Sequence, residues 1–198
     1  MIAVCIIGVL ASVAIPTYGR FVMRSRAAEV PSNLAQIYKG MHAYWEGQHN
    51  TRYIGGTAAT HCWIDDGGNM GDSVPPMPPG PEPRTADWMS YPSYAAVGFA
   101  PAGPVYAIYA WGHPPANEGS PAATMRCGIT EADLAVPVIS VIIGATDLDG
   151  DGLLGGYTMQ VGLRGEQIYR EPGFGTAQSG MAALGMGACP FCSADFID

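Results

Sequence analysis

The chain has 198 residues, enough for one domain, and 48% of them are apolar, so it can bury a sizeable core despite 27 glycines and 17 prolines. Its formal net charge is −8, and it contains no long basic run. Because binding to nucleic-acid phosphates requires clustered Lys and Arg, this composition argues against a nucleic-acid partner.

The stretch Met1–Ile15 reads MIAVCIIGVLASVAI and contains no charged residue. As a helix it would be roughly 22 Å long, at about 1.5 Å per residue, which is shorter than the ~30 Å hydrocarbon core of a bilayer. Three interpretations are open: a signal peptide, a plain membrane anchor, or a helix that is first held in a membrane and later buried in a polymer. No basic region precedes the apolar run, which is atypical of a signal peptide.

A second helical pattern follows Pro16. Apolar residues recur three or four positions apart, at Ala27, Val30, Leu34, Ile37, Met41 and Tyr44. This spacing predicts an amphipathic helix with one buried stripe. An all-apolar helix that continues into an amphipathic one favours a long helix packed on a domain over an anchor joined by a linker. Pro16 and Pro31 predict kinks, since each removes an intrahelical hydrogen bond.

The first 45 residues resemble the N-terminal signature of type IV pilins and pseudopilins. The matching features are Gly8, Ala11, Ser12, Pro16, Tyr18 and the Arg-Ser-Arg at 24–26. The resemblance implies an α+β fold, in which the long helix packs on an antiparallel β-sheet head with a loop-rich C-terminal region. It divides the chain into an apolar polymerisation and transmembrane half, 1–26, and a head, 27–198, that includes the amphipathic half of the helix, 27–46. The family's mature chain begins about half a dozen residues before the position of Met1, so we expect this sequence to start inside that helix.

In the head, Val74–Pro83 (VPPMPPGPEP) predicts an extended, polyproline-like surface loop. Strands are predicted over Tyr94–Ala100, Tyr106–Trp111, Val136–Ala145 and Tyr157–Leu163. The third of these is apolar on both faces, which is typical of a central strand. GFAPAGPVYAIY and VIIGATDLDGDGLLGGYTMQ resemble sheet segments of pilins from myxobacteria and related deltaproteobacteria. The tail, Pro172–Asp198, is predicted to be mostly irregular.

An acidic loop separates the last two predicted strands. Asp147, Asp149 and Asp151 lie at alternate positions, Gly152 follows, and the carbonyl of Leu153 has the spacing of a further ligand. Such a pattern can wrap Ca²⁺, although the bidentate Glu of an EF-hand is replaced by Thr158. A hydrated acidic turn without a cation is the competing interpretation, because Asp and Gly favour turns for their own reasons.

Four cysteines lie outside the apolar stretch, at Cys62, Cys127, Cys189 and Cys192, and a fifth, Cys5, lies inside it. An even set in a loop-rich region predicts two disulfides and an oxidising compartment. Of the three possible pairings we favour Cys62–Cys127 with Cys189–Cys192. A zinc site at the C-terminal CPFC would need two further ligands, for which His61 is the only hint.

The sequence contains none of the motifs GxSxG, HExxH or a phosphate-binding Gly-rich loop, so we expect no enzymatic activity. The resemblance implies a structural subunit of an extracellular, type IV pilus-like filament, with roles in motility and cell adhesion. Its partners would be copies of itself, the inner membrane before assembly, and the pilus assembly machinery. The alternatives are a minor pilin, a type II secretion pseudopilin, or a membrane-anchored periplasmic calcium-dependent binding module. The residues expected to form the polymerisation helix are Met1, Ile2, Val4, Ile6, Ile7, Gly8, Val9, Leu10, Val13, Ile15 and Pro16.

Overall fold

The computed structural model describes residues 2–47, 49–50, 59–64, 73–112, 127–176 and 192. Helices α1 (Ile2–Ala27) and α2 (Glu29–Glu46) are followed by a short antiparallel pair, β1 (His49–Asn50) and β2 (Ala59–Thr60). A short helix, α3 (Pro92–Val97), precedes the main sheet. The strands of that sheet are β3 (Ile108–Gly112), β4 (Val138–Thr146), β5 (Gly155–Arg164), β6 (Gln167–Arg170) and β7 (Gly175–Thr176). The chain therefore has the predicted α+β arrangement of a long N-terminal helix and an antiparallel sheet.

Helices α1 and α2 are separated by a single residue, Ala28, whose N–H donates to the Arg24 carbonyl at 3.1 Å. Pro31 is the third residue of α2, and it lacks the N–H that would bond to the Ala27 carbonyl. The interruption thus lies where Pro31 weakens the hydrogen-bond ladder. Pro16 lies inside α1, which continues as a helix through it.

The predicted buried stripe is confirmed at Ala27, the last residue of α1, and along α2 at Val30, Leu34, Ile37 and Met41. At the last turn the structure buries Trp45, while Tyr44 is only half-buried. The buried apolar side chains of α2, together with aromatic residues from α3 and β3, form the larger of two apolar clusters among the described residues.

The main sheet has the order β3-β4-β5-β6, with β7 also paired to β5, and every pairing is antiparallel. The central position of β4 is confirmed, since it lies between β3 and β5 and is buried along nearly its whole length. One face of β4 contributes Ile142 to the cluster beneath α2, and the other contributes Val141 and Ile143 to a second cluster that Cys192 covers. The β5 prediction, Tyr157–Leu163, is also confirmed.

The strand predicted over Tyr94–Ala100 is wrong, because most of this segment belongs to α3. Pro92 fixes a helical φ at the first helical position, and Gly98 ends the helix with a left-handed φ of 65°. Tyr94 and Val97, three residues apart, are both buried, as helical spacing requires. The aromatic and small residues of this segment obscured that period.

The chain bends at Pro75, Met77 and Pro81 within the proline-rich segment, so its course is not continuously extended as predicted, and both of its ends are joined to the region of β3. Val74 exchanges two backbone hydrogen bonds with Tyr109, at 2.8 and 2.9 Å, and Arg84 exchanges two with Val105, both at 2.8 Å. Between these bridges, Met77 is 59% exposed. The segment is therefore a surface loop between its two bridges, and its ends are hydrogen-bonded to the chain around β3.

Candidate functional site

The apolar segment, residues 2–15 of α1, is exposed on all sides of the helix. Its large apolar side chains are Ile2, Val4, Ile6, Ile7, Val9, Leu10, Val13 and Ile15, with exposed fractions from 55% for Ile6 to 80% for Ile2. None of them belongs to, or packs against, the two apolar clusters that the described residues of the head form. Met1 lies outside the described residues. A surface of this size in a single chain indicates an interaction site, because water does not solvate it favourably.

Two apolar surroundings can cover such a helix: lipid, or other helices of the same kind. The helix Ile2–Glu46 is long and apolar enough to cross a membrane, a property it shares with signal sequences near an N-terminus. Complete burial of eight large apolar side chains from water would contribute about 12–24 kcal/mol, before the entropic cost of association. Lipid already removes these side chains from water, so a helix that leaves lipid for a polymer must be stabilised by close packing against other helices.

The polar side chains in and just after the apolar segment are satisfied within the helix. The Ser12 hydroxyl donates to the Val9 carbonyl at 2.7 Å, and the Thr17 hydroxyl donates to the Val13 carbonyl at 2.8 Å. Both residues can therefore enter apolar surroundings without an unpaired hydroxyl. The Ser12 carbonyl has no helical N–H partner, because residue 16 is proline. Gly8–Pro16 is helical in the single chain.

A polar network joins the start of α2 to β3 and the residues that lead into it. The Glu29 carboxylate accepts from the Tyr106 N–H and from the Tyr109 hydroxyl, each at 3.3 Å. The Asn33 amide donates to the Tyr109 hydroxyl at 2.8 Å. Burial raises the pKa of Glu29, opposed in part by its hydrogen bonds, and burial also raises the pKa of Tyr109. The helix is thus fixed to the head at the start of α2.

Sequence reasoning missed this network. The available signal was the position of Asn33 and Glu29, four residues apart and next to the apolar stripe of α2. A polar residue beside a buried stripe requires a partner, and a buried tyrosine hydroxyl is a common one.

The opposite end of α2 is fixed by Trp45. Its indole N–H donates to the Glu166 carbonyl at 2.9 Å, and its ring stacks on His61 with ring centroids 5.2 Å apart. The His61 ring returns a hydrogen bond from Nδ1 to the Trp45 carbonyl at 2.7 Å. Both ends of α2 are therefore locked to the head, so a force on α1 is transmitted to the sheet.

The structure brings together the three predicted metal ligands. One carboxylate oxygen from each of Asp147, Asp149 and Asp151 lies within 4.8 Å of the others. The buried Asp147 accepts from the Gly150 N–H at 2.8 Å and from the Gly152 N–H at 3.3 Å, and both glycines have positive φ. The Leu153 N–H donates to Asp151 at 2.7 Å. This loop could hold a hard cation, and its backbone bonds also suffice for a turn without one.

The structure joins Cys62 and Cys127 by a disulfide, which is the pairing favoured from the sequence. Cys192 is also disulfide-bonded, and Cys189 lies outside the described residues. Cys5 is a free thiol, exposed within the apolar segment. Since the Cys62 sulfur forms a disulfide, it is not available as a zinc ligand.

Comparisons with known proteins give no match: no family model, no curated protein and no solved structure matches this chain. The resemblance of the first 45 residues to type IV pilins therefore stays a prediction. Any function must be argued from the geometry of the helix and the head.

Proposed function

We propose that this protein is a structural subunit of a type IV pilus-like extracellular filament, assembled by the packing of its apolar segments. The observation that carries the proposal is the exposure of that segment on every side, on a helix whose other half is locked into a folded head. A helix that is apolar all round has no face suited to water and is stable only where it is covered completely.

The continuity of α1 and α2 favours a polymer over a tethered module. A tether needs only a flexible linker between membrane and domain, whereas here one residue separates the apolar helix from the helix of the core. The Glu29 network at this junction orients α1 relative to the sheet. Such a fixed orientation allows many copies to pack their helices in one repeated geometry. Before assembly, the same helix would hold the subunit in the inner membrane.

A membrane-anchored, calcium-dependent binding module is the second candidate, and the approach of Asp147, Asp149 and Asp151 favours it. It differs from the first candidate in requiring no filament. A minor pilin or a pseudopilin would use the same helix packing in a different assembly.

The substitution Val9→Asp tests the proposal. Val9 is 67% exposed in the single chain and lies in the middle of the apolar segment. Placing a carboxylate at the centre of an apolar layer costs about 2.5–3.5 kcal/mol, or roughly a 60- to 300-fold loss in the association constant. We expect no filaments from this variant by electron microscopy, while its head keeps the wild-type melting temperature in detergent.

Two control variants accompany it. Val9→Leu keeps the segment apolar and should assemble, and Met89→Asp adds the same charge to an exposed residue of the head and should also assemble. The amount of each variant in the membrane fraction is measured as well, because lipid also disfavours the carboxylate. Normal filaments from Val9→Asp would refute the proposal.

A further inference from the structure

The part of α1 between the apolar segment and the head, residues 16–26, which we call the stem, carries three arginines. Arg20 and Arg24 are exposed, and neither side chain forms a hydrogen bond or an ion pair with another of the described residues. They lie four residues apart on one helix face, where like charges repel each other. Arg26 differs, because its guanidinium lies 4.8 Å from the centroid of the Tyr106 ring. This face of the stem therefore has no anionic partner among the residues that the structure describes.

The charges of the chain are divided between stem and head. The apolar segment and stem together, residues 1–26, contain three arginines and no acidic residue, whereas the head, residues 27–198, contains six basic and 17 acidic residues. The formal charges are thus +3 and −11, which add to the −8 of the whole chain. Two copies of such a molecule attract each other when the stem of one meets the head of the other.

The topology places exposed carboxylates at the end of the head nearest the stem. The start of α2 packs against the end of β4, where a Cβ on Gly144 would meet Val30 Cγ1, while Trp45 at the far end bonds to Glu166 beyond β5. The loop between β4 and β5 therefore lies at the stem end. The proline-rich segment borders it, since Pro81 lies 3.8 Å from the position of a Cβ on Gly150. The exposed carboxylates of this region, which we call the lower rim, are Glu82, Asp149 and Asp151.

We propose that Arg20 and Arg24 of one subunit bind the lower rim of a neighbouring copy, an inference that rests on the proposed filament. Arg24 and Arg20 precede Glu29, at the base of the head, by five and nine residues. At about 1.5 Å per residue they lie roughly 8 and 14 Å below that base. A neighbour displaced along the axis by this distance brings its lower rim to the level of the two arginines. The contact sets the axial stagger of the subunits, while the apolar segments supply the cohesion.

Reversal of charge on both sides of the contact tests this inference. The stem variant is Arg20→Glu/Arg24→Glu, the rim variant is Glu82→Lys/Asp149→Lys, and the combined variant restores the net charge of −8. The control variant, Lys39→Glu/Arg164→Glu, makes the same change in net charge as the stem variant at exposed positions elsewhere. Each purified full chain is diluted from detergent, and the critical concentration for pelletable filaments is measured in about 0.15 M and 0.5 M salt.

We expect the stem and rim variants each to raise the critical concentration about tenfold in the lower salt, equal to about 1.4 kcal/mol per subunit. The combined variant should return to within about threefold of the wild type, and the control should stay within about twofold. The higher salt should reduce the differences, because exposed charges are then screened. The neutral variant Arg20→Gln/Arg24→Gln should show a smaller rise of the same sign.

Assembly of the stem variant at the wild-type concentration would overturn the inference and leave the filament proposal intact. A second pair of results would also overturn it. In that case the combined variant would have a critical concentration as high as that of the stem variant, and phosphatidylglycerol vesicles would co-sediment with the wild type but not with the stem variant. The arginines would then serve anionic lipid. Absence of filaments from the wild type itself would refute the proposed function, and this inference with it.

Discussion

The contact between α2 and the sheet predicts that the substitution Gly144→Ala lowers the stability of the head. A Cβ at Gly144 would lie 2.4 Å from Val30 Cγ1 and 3.2 Å from the Tyr109 ring, whereas carbon atoms pack at about 3.5–4.0 Å. Val30 and Tyr109 are both fully buried, and a β-branched side chain in a helix has little rotamer freedom. The helix and the sheet must therefore separate locally by about 1 Å.

Overpacking of this kind costs about 1–3 kcal/mol, and the lower backbone entropy of alanine in the unfolded chain returns about 0.5–1 kcal/mol. The middles of these two ranges leave a net loss of about 1 kcal/mol, which should lower the melting temperature of the full chain in detergent by roughly 2–4 °C. Gly103→Ala is the matched control, because nothing lies within 4 Å of its Cβ position, and it should melt like the wild type.

The double variant Gly144→Ala/Val30→Ala isolates the contact. Removal of Val30 Cγ1 gives the new methyl group room, so the double variant should be at least 1 kcal/mol more stable than the two single effects predict when added. Equal melting of Gly144→Ala and the wild type, or simple additivity in the cycle, would refute the packing of Val30 against β4 described above.

Three further predictions concern the head. Because burial raises the pKa of Glu29 above its ordinary value of 4.5, its contribution to stability is fully present below about pH 4.5 and is lost as the pH rises through the raised pKa. The melting temperature of the wild type minus that of Glu29→Gln should therefore increase as the pH falls from about 7 to about 4, and a constant or shrinking difference would show that the carboxylate is not desolvated. Calcium at about 5 mM should stabilise the wild type by about 1–2 kcal/mol and leave the stability of Asp149→Ala unchanged, given a dissociation constant near 10⁻⁴–10⁻³ M. Equal melting temperatures of the wild type in calcium and in chelator would show that the loop binds no calcium. Removal of the Cys62–Cys127 disulfide by a double alanine substitution should cost about 2–5 kcal/mol, since it closes a loop with a sequence separation of 65. A non-reduced digest should yield the Cys62–Cys127 peptide, and a Cys62–Cys192 peptide would contradict this pairing.

The long helices and the central strands could be predicted because their signals are local and repeated. The stripe from Val30 to Met41 follows the helical period, and the apolar run of β4 reflects a strand covered on both faces. The helix α3 was mistaken for a strand because six residues give too few periods to separate the two patterns. Pro92 at its start and Gly98 at its end are typical of helix boundaries and indicate the helix more clearly.

The candidate site was only partly predictable. The apolar segment and the three aspartates are contiguous in sequence, so their types and spacing identify them directly. The Glu29 network requires β3 to meet α2 across about 80 residues of chain, as in the Tyr109-to-Glu29 hydrogen bond with a separation of 80. The position of the acidic loop at the stem end likewise depends on strand direction, which sequence periodicity does not contain.

Electron microscopy of the native assembly, with helical reconstruction, tests the central claim most directly. The account predicts filaments in which the helices of residues 2–15 are packed against one another along the axis and the heads lie outside. The side chain of Val9 should contact only other subunits or its own helix. Separate particles held by lipid or detergent at residues 2–15, without a polymer, would contradict the account.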